Sequence, residues 1–291
     1  MLGAVNIAVY IMLCLIWGST WMAIKVGLRD APPLWAAGVR MALAGSIMYA
    51  YCRLAGYRLP GGWTEKGRVA WPGIMIYGLP YAFVYIGSQY ISSALTSILF
   101  SGFPFFVAAL AAIMIKNERV GPKTIIGMMV GFAGIIVIFA GPVAFDRPSL
   151  AGAALVVAAT AASAYGTVHV KAFLAEEPVA SMMAQQMTLG GILLLAAAAV
   201  SEPISRFHMT VTSVASIAYL TIFGSIVAFG GYFWLLKRIS AVTLSLTSFI
   251  TPIIAVFIGY AALGEKLTGQ DVVGAALVLA GVAVTQVRRR S

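Results

Sequence analysis

Three tyrosines recur at every fourth position, Tyr77, Tyr81 and Tyr85, and Gln89 continues the series. On a helix this spacing lays all four along one slowly drifting face. A phenol joins an apolar ring to a hydrogen-bonding hydroxyl, so such a face suits a ligand with an apolar body and polar ends. Packing is the competing reading, and residues near a helix end can instead form an interfacial belt. Tyr77 and Tyr81 lie too deep in their apolar run for a belt. Both are expected to line a pocket, with Tyr85 and Gln89 nearer its outer mouth.

Upstream, Trp17 and Trp21 stand one turn apart beside Gly18, whose missing side chain lets a ligand or another helix approach. The second half offers Tyr165, Gly166 and Thr167 instead, with His169 one turn further on. His169 is open to two readings, a group titrating near neutrality or a structurally satisfied ring. Arg40 lies well inside an apolar run, where a cation costs about 2.5–3.5 kcal/mol on insertion scales and must face protein or a wet cavity. It could clamp a carboxylate in bidentate geometry, or hold helix-end carbonyls and snorkel outward. Lys25, close to the end of its run, is read as snorkelling. Among the hydroxyls of Thr96, Ser97, Ser101, Ser245, Thr247, Ser248 and Thr251, most are expected to bond back to their own helices. Ser101 and Thr247 join the candidate site because they lie near Pro104 and Pro252.

The acids are as informative by their positions. All nine, Asp30, Glu65, Glu118, Asp146, Glu176, Glu177, Glu202, Glu265 and Asp271, fall in connections or at the ends of apolar runs. A proton-driven pump usually places a titrating carboxylate on its pathway, and this sequence puts none at mid-depth. Glu118 and Glu265, beside Arg119 and Lys266, read as local ion pairs and helix starts, with a gate role also open. The clustered His, Asp, Glu and Ser groups of an intramembrane hydrolase are not found, nor a phosphate-binding loop or metal-ligand spacing. An enzyme, a metal and a cofactor are therefore not expected. Cys14 and Cys52 sit within apolar runs at different depths and are read as packing residues.

The elements that carry these groups follow from composition. A chain of 291 residues that is 61% hydrophobic and 10% charged, with mean hydropathy +0.96, exposes too much apolar surface for one soluble core. Helices crossing a bilayer need roughly 20 apolar residues. Ten such runs can be marked, at about 4–28, 34–54, 69–90, 93–115, 122–140, 150–173, 178–200, 214–236, 241–263 and 269–287. The expected fold is an all-α membrane protein of ten transmembrane helices without a soluble domain. The first run lacks a basic leader and a clear cleavage site, so it is read as a retained span.

The second half echoes the first. Ile91, Ser92, Ser97 and Pro104 return as Ile239, Ser240, Ser245 and Pro252, about 148 positions later. Glu118, Gly127, Ala133, Gly134 and Val137 return as Glu265, Gly274, Ala280, Gly281 and Val284 after a one-residue slip. Five spans per copy is an odd number, so the second copy must lie upside down, an arrangement found in secondary transporters. The expectation is two inverted five-helix repeats, 1–144 and 145–291. Pro104 and Pro252 mark matched helix breaks at which backbone groups can face a cavity. Pro80 has no proline counterpart, but Gly224, Gly230 and Gly231 weaken the eighth run in a similar region. Bending for packing alone is the other reading. Gly127, Gly131, Gly134, Gly274 and Gly281 suit close helix packing, either between the repeats or between two protomers of a homodimer.

The net charge of +10 is distributed by topology. With the N-terminus inside, about thirteen Lys and Arg fall on the inner side against about four outside, which places both termini in the cytoplasm. The basic excess is then a matter of orientation and anionic lipid, not a nucleic-acid footprint.

Trp17-Gly18-Ser19-Thr20-Trp21, Pro32-Pro33 followed by Arg40, and the twin Asn117-Glu118-Arg119 and Gly264-Glu265-Lys266, each before a Gly-rich span, resemble the drug/metabolite transporter superfamily. More narrowly they resemble its ten-span branch with two EamA domains. That resemblance implies an exporter of amino acids or related small metabolites in the bacterial inner membrane. It also implies a central pocket lined mainly by the first four helices of each repeat. The missing mid-membrane carboxylate favours facilitated or exchange-type flux by alternating access. The alternative is an exporter of drugs or lipid-like amphiphiles, proton-coupled through His169.

Overall fold

The computed structural model describes residues 3–87, 89–91, 93–116, 118, 120–138, 146–263 and 268–286. Asn117 and Arg119, the Gly264-Glu265-Lys266 signature, Gly141 and Pro142 lie outside the described residues, as do the side chains of Trp21, Lys25 and Ser97. Every regular element among the described residues is helical. In order these are α1 (Ala4–Gly27), α2 (Pro33–Leu54), α3 (Trp63–Ala70), a π-helical segment (Ile74–Gly78), α4 (Leu79–Gly87), α5 (Ser93–Phe100), α6 (Phe103–Met114) and α7 (Pro122–Ile138). The second half continues with α8 (Arg147–Phe173), α9 (Val179–Ser201), a short 3-10 turn (Ile204–Arg206), α10 (Val211–Tyr219), a second π-helical segment (Leu220–Val227), α11 (Ala228–Leu236), α12 (Ala241–Ser245), α13 (Thr247–Leu263) and α14 (Gly269–Gln286).

Among the described residues, six stretches are long and apolar enough to cross a membrane: Ala4–Ile24, Trp63–Gly87, Arg147–Phe173, Val179–Ser201, Val211–Leu236 and Ala241–Ile258. Ile98–Met114, Pro122–Ile138 and Gly269–Thr285 are shorter apolar helices. α2 is long enough but carries Arg40 in its body; it packs along α9, while Arg40 turns to the Ser225 hydroxyl and the Tyr81 ring. The protein is an integral, multi-pass membrane protein.

Local chemistry sets the helix starts. Asp146 accepts from the Ser149 amide at 2.9 Å and so caps α8. The Ser149 side chain, and after it this amide, holds its carboxyl below the usual carboxylate range. Thr210 and Ser213 form a capping box on α10, and Ser240 caps α12 through the Thr243 amide. α2 begins at Pro32-Pro33 with no local cap. Glu202, at the far end of α9, takes its place by accepting from the amides of Leu34 and Trp35 at 2.9–3.2 Å.

The most extensive packing is between α2 and α9 and between α7 and α14. Glycine makes both possible. A Cβ added at Gly45 would lie 2.7 Å from the Thr188 amide, and one at Gly134 would lie 2.6 Å from the Gly274 carbonyl. The glycines of α7 and α14 are thus used within the chain, which is the first of the two uses read from the sequence. α1 packs on α10, α11 and α13, and α8 packs on α4, α5 and α6. The helix that opens each half therefore beds into elements of the other half.

The two π-helical segments interrupt corresponding rods. Pro80 follows the first. It removes an amide and crowds the carbonyl four residues back, a strain that a wider turn accommodates. At Pro104 the rod breaks over Ser101 and Gly102, and the proline sits in the first turn of α6. Pro252 lies inside α13, and the break in that rod falls earlier, at Leu246. The matched prolines therefore do not produce breaks at matched depth.

Candidate substrate-binding site

Four aromatic rings meet in the interior where α1, the first π-helical segment and α11 converge. Trp17 stands edge-on to Phe229 with centroids 5.4 Å apart and tilts against Tyr232 at 5.3 Å. Tyr77, with no exposed surface, meets Phe229 edge-on at 4.7 Å. Phe233 continues the file, 6.1 Å from Phe229. Two glycines let the backbones close around these rings. A Cβ at Gly190 of α9 would stand 2.6 Å from the Tyr77 Cβ, and one at Gly231 would press on Val9, Met12 and Leu13 of α1. Gly230, singled out as a weak point by sequence, has only Met183 at 3.9 Å and leaves room.

The centre is apolar except at two phenols. The Tyr77 hydroxyl is buried without a hydrogen-bond partner. The Tyr232 hydroxyl looks toward Thr167 of α8 without closing a bond of normal geometry. An unsatisfied buried hydroxyl costs about 1–3 kcal/mol, and such groups are rare enough in folded proteins to mark places where a ligand or water completes the set.

Arg40 borders the centre on one side. It is 4% exposed, its Nε donates to the Ser225 hydroxyl at 2.8 Å, and its guanidinium lies 5.6 Å from the Tyr81 ring centroid. A Cβ at Gly224 would come within 3.1 Å of an Arg40 Nη. The side chain thus turns to a hydroxyl and a ring, not to helix-end carbonyls, and no carboxylate pairs with it among the described residues. Tyr81 and Tyr85 follow at 6.4 Å between centroids, and Tyr85 shares a small gap with Arg40 between α1, α2 and α10. Gln89 is exposed at the end of this face, where its amide donates to the Tyr85 carbonyl at 3.5 Å.

The other sequence candidates fall elsewhere. Tyr165 is 37% exposed, and His169 packs against Trp71 at 4.5 Å and Phe173 at 4.7 Å. This aromatic ladder at the side of α8 is separate from the Trp17 cluster. The His169 Nδ1 is buried without a partner. Thr247 spends its hydroxyl on the Leu244 carbonyl at 2.9 Å, while its neighbour Ser248 keeps a buried hydroxyl unpaired. Ser101 is buried at the α5–α6 break. Sequence reading missed Phe229, Tyr232 and Phe233. The internal repeat was the available signal, because Ser225, Phe229 and Phe233 stand about 148 residues after Tyr77, Tyr81 and Tyr85.

Both ends of the bundle are fastened by polar contacts. At the Arg40 end, Thr210 donates to Asp30 at 2.5 Å, and the His208 amide donates to the Asp30 carbonyl at 2.8 Å. At the other end, the Lys171 Nζ donates to the carbonyls of Leu236, at 2.9 Å, and Ile239. Glu118 stands 3.9 Å from the same ammonium and accepts from the Val242 amide at 3.2 Å.

Comparison with known proteins gives the family. The EamA-like transporter family matches residues 5–140 and again 150–286. An uncharacterized transporter of Archaeoglobus fulgidus is 30% identical, covering 94% of this chain and 95% of the relative. The uncharacterized inner membrane transporter YedA of Escherichia coli is 26% identical over 88% of this chain and 82% of its own length. A protein of Salmonella typhimurium named "Probable amino-acid metabolite efflux pump" is 24% identical over 94% and 91%. A solved crystal structure superposes with a TM-score of 0.84 at 18% identity, covering 97% of this chain and 96% of that one, which fixes the fold. With both halves matched and the relatives covered nearly end to end, the chain belongs to the EamA-like transporter family of the drug/metabolite transporter superfamily.

Proposed function

We propose that this protein is a secondary transporter that exports amino acids or related small metabolites across the bacterial cytoplasmic membrane. Ten spans form two inverted five-helix repeats, 1–144 and 145–291, with both termini in the cytoplasm, and the repeats rock about the aromatic centre. The observation that carries this reading is the reciprocal exchange of partners. α1 beds into the second half as α8 beds into the first, α2 meets its counterpart α9, and α7 meets α14. A structure with that symmetry can interchange which end is open while the site at its centre stays fixed. The double family match and the paired π-helical segments support the same division. The metabolite class rests on the name of the Salmonella relative and on a centre that offers aromatic rings, two phenols and a guanidinium.

Flux is facilitated or exchange-type in this reading, because no carboxylate lies near the centre among the described residues. His169, the candidate for proton coupling, stands in the lateral ladder and not in the Trp17 cluster. Counterflow in proteoliposomes tests the reading. Vesicles loaded with unlabelled amino acids, at equal pH on both sides, are expected to accumulate labelled substrate, and Trp17→Ala is expected to abolish this. Accumulation that needs an imposed pH gradient, or that occurs only with lipophilic cations, would overturn it.

A further inference from the structure

A cavity of about 180 Å³ lies at the Lys171 end of the bundle, among α8, α9 and α11. Leu174, Met182, Phe233 and Leu236 form its walls, and Lys171 and Lys237 supply its charge. Drug-sized pockets begin at roughly 300 Å³, so this one suits a small molecule. No acidic side chain lines it among the described residues.

Three acids stand near the two lysines, Glu176 and Glu177 beside Lys237 and Glu118 beside Lys171. Glu177 pairs its carboxylate with Arg68 and gives Lys237 only its backbone carbonyl, at 2.6 Å. Glu118 lies beyond hydrogen-bond distance of Lys171 and serves the Val242 amide. An ammonium has three donors. Lys171 places two on carbonyls and Lys237 one, so each cation keeps donor capacity. Phe233 lines the cavity and also continues the file of rings that leads through Phe229 to Trp17 and Tyr77; one helical turn beyond Tyr77, the Tyr81 ring lies beneath Arg40.

We propose that this cavity is an entry subsite for a small organic carboxylate with an apolar body, whose anionic end rests between Lys171 and Lys237 while its body lies toward Phe233. The inference rests on the transport reading above and gives it a substrate class. Cations stand at both ends of an aromatic file, so a carboxylate is handed from Lys171 and Lys237 toward Arg40 while its apolar part stays among rings. Charge-assisted bonds of this kind are shorter and stronger than neutral ones.

The test uses the full-length protein in inverted membrane vesicles, which present the Lys171 end to the medium. The probes are labelled L-phenylalanine, with 3-phenylpropionate and phenylalaninamide as competitors. Wild type is expected to be inhibited by the propionate, which keeps the carboxylate, about tenfold more effectively than by the amide, which lacks it. Lys237→Gln is expected to erase most of that ratio, since a bond to a charged group is commonly worth about tenfold or more. Lys171→Gln should do the same and Lys171→Arg should keep the ratio. If Lys171→Gln fails to fold through loss of its carbonyl contacts, Lys237→Gln still decides, because it gives up one exposed backbone contact. An unchanged ratio in Lys237→Gln, with uptake intact, overturns the subsite and leaves the transport reading standing. Absence of uptake for every probe in wild type overturns both. A ratio that collapses in wild type when anionic lipid is added identifies a lipid headgroup as the occupant and also overturns the proposal.

Discussion

Two rods of this molecule carry the same spacing with different chemistry. The third rod, running from α3 through the first π-helical segment to α4, presents Tyr77, Tyr81 and Tyr85. The eighth, from α10 through the second π-helical segment to α11, presents Ser225, Phe229 and Phe233 at positions about 148 residues later. The first face brings three phenol hydroxyls. The second brings apolar rings and one small hydroxyl, which Arg40 takes at 2.8 Å. A repeated scaffold thus yields a polar side near Arg40, Tyr81 and Tyr85 and an apolar side near Trp17, Phe229 and Phe233. Such a site orients a ligand that has two unlike ends, which a symmetrical pocket could not do.

The difference can be broken most heavily from the apolar side. Phe229 touches Trp17, Tyr77, Tyr232 and Phe233, so Phe229→Ala is expected to cost about 3–5 kcal/mol. Thermal unfolding in detergent should show a clearly larger drop than for Tyr81→Ala, whose ring is half-buried. Equal losses would mean that the two faces do not differ in packing. Next comes Arg40→Lys, which keeps the charge and loses the fork that reaches Ser225. Counterflow KM is expected to rise about tenfold, the loss of a bond worth about 1.5–3 kcal/mol when a charged group is involved. Tyr77→Phe separates function from stability. Removing an unpaired hydroxyl should leave unfolding unchanged or raise stability by about 1 kcal/mol, while substrate KM rises several-fold. A parallel loss of both would show that the hydroxyl is structural. Smallest of all, Tyr165→Leu should change stability by no more than about 0.5 kcal/mol and leave the affinity for substrate in place, because Tyr165 is 37% exposed and apart from the Trp17 cluster.

Much of the architecture was legible in local sequence. Apolar runs announce helices, and the Tyr77 series announces one helical face because helical spacing needs only the chain itself. Trp17, Tyr77, Tyr81 and Arg40 are indeed brought into one region. What the sequence concealed depends on contacts between distant segments. Glu202 looked like an acid at a run's end, yet it caps α2 from more than 160 residues away, because Pro32-Pro33 left the amides of Leu34 and Trp35 without a local acceptor. Tyr165 and His169 shared the spacing of Trp17 and Trp21, but α8 turns that face toward Trp71 and Phe173. Thr247 reads as a site hydroxyl because it lies near Pro252. The break at Leu246 places Thr247 where its hydroxyl bonds back to Leu244 and leaves Ser248 with the unpaired one. Phe229 and Phe233 lie within reach of the repeat, but phenylalanine in an apolar run reads as packing.

The central claim is that the ring cluster is reached alternately from the two faces. In a background free of Cys14 and Cys52, Phe229→Cys places one thiol at its centre. A charged, membrane-impermeant methanethiosulfonate is then applied to right-side-out and to inverted vesicles, with and without transported amino acid. Alternating access predicts labelling from both faces, slowed from both by substrate. Labelling from one face only, or at a rate that substrate does not change, would contradict it.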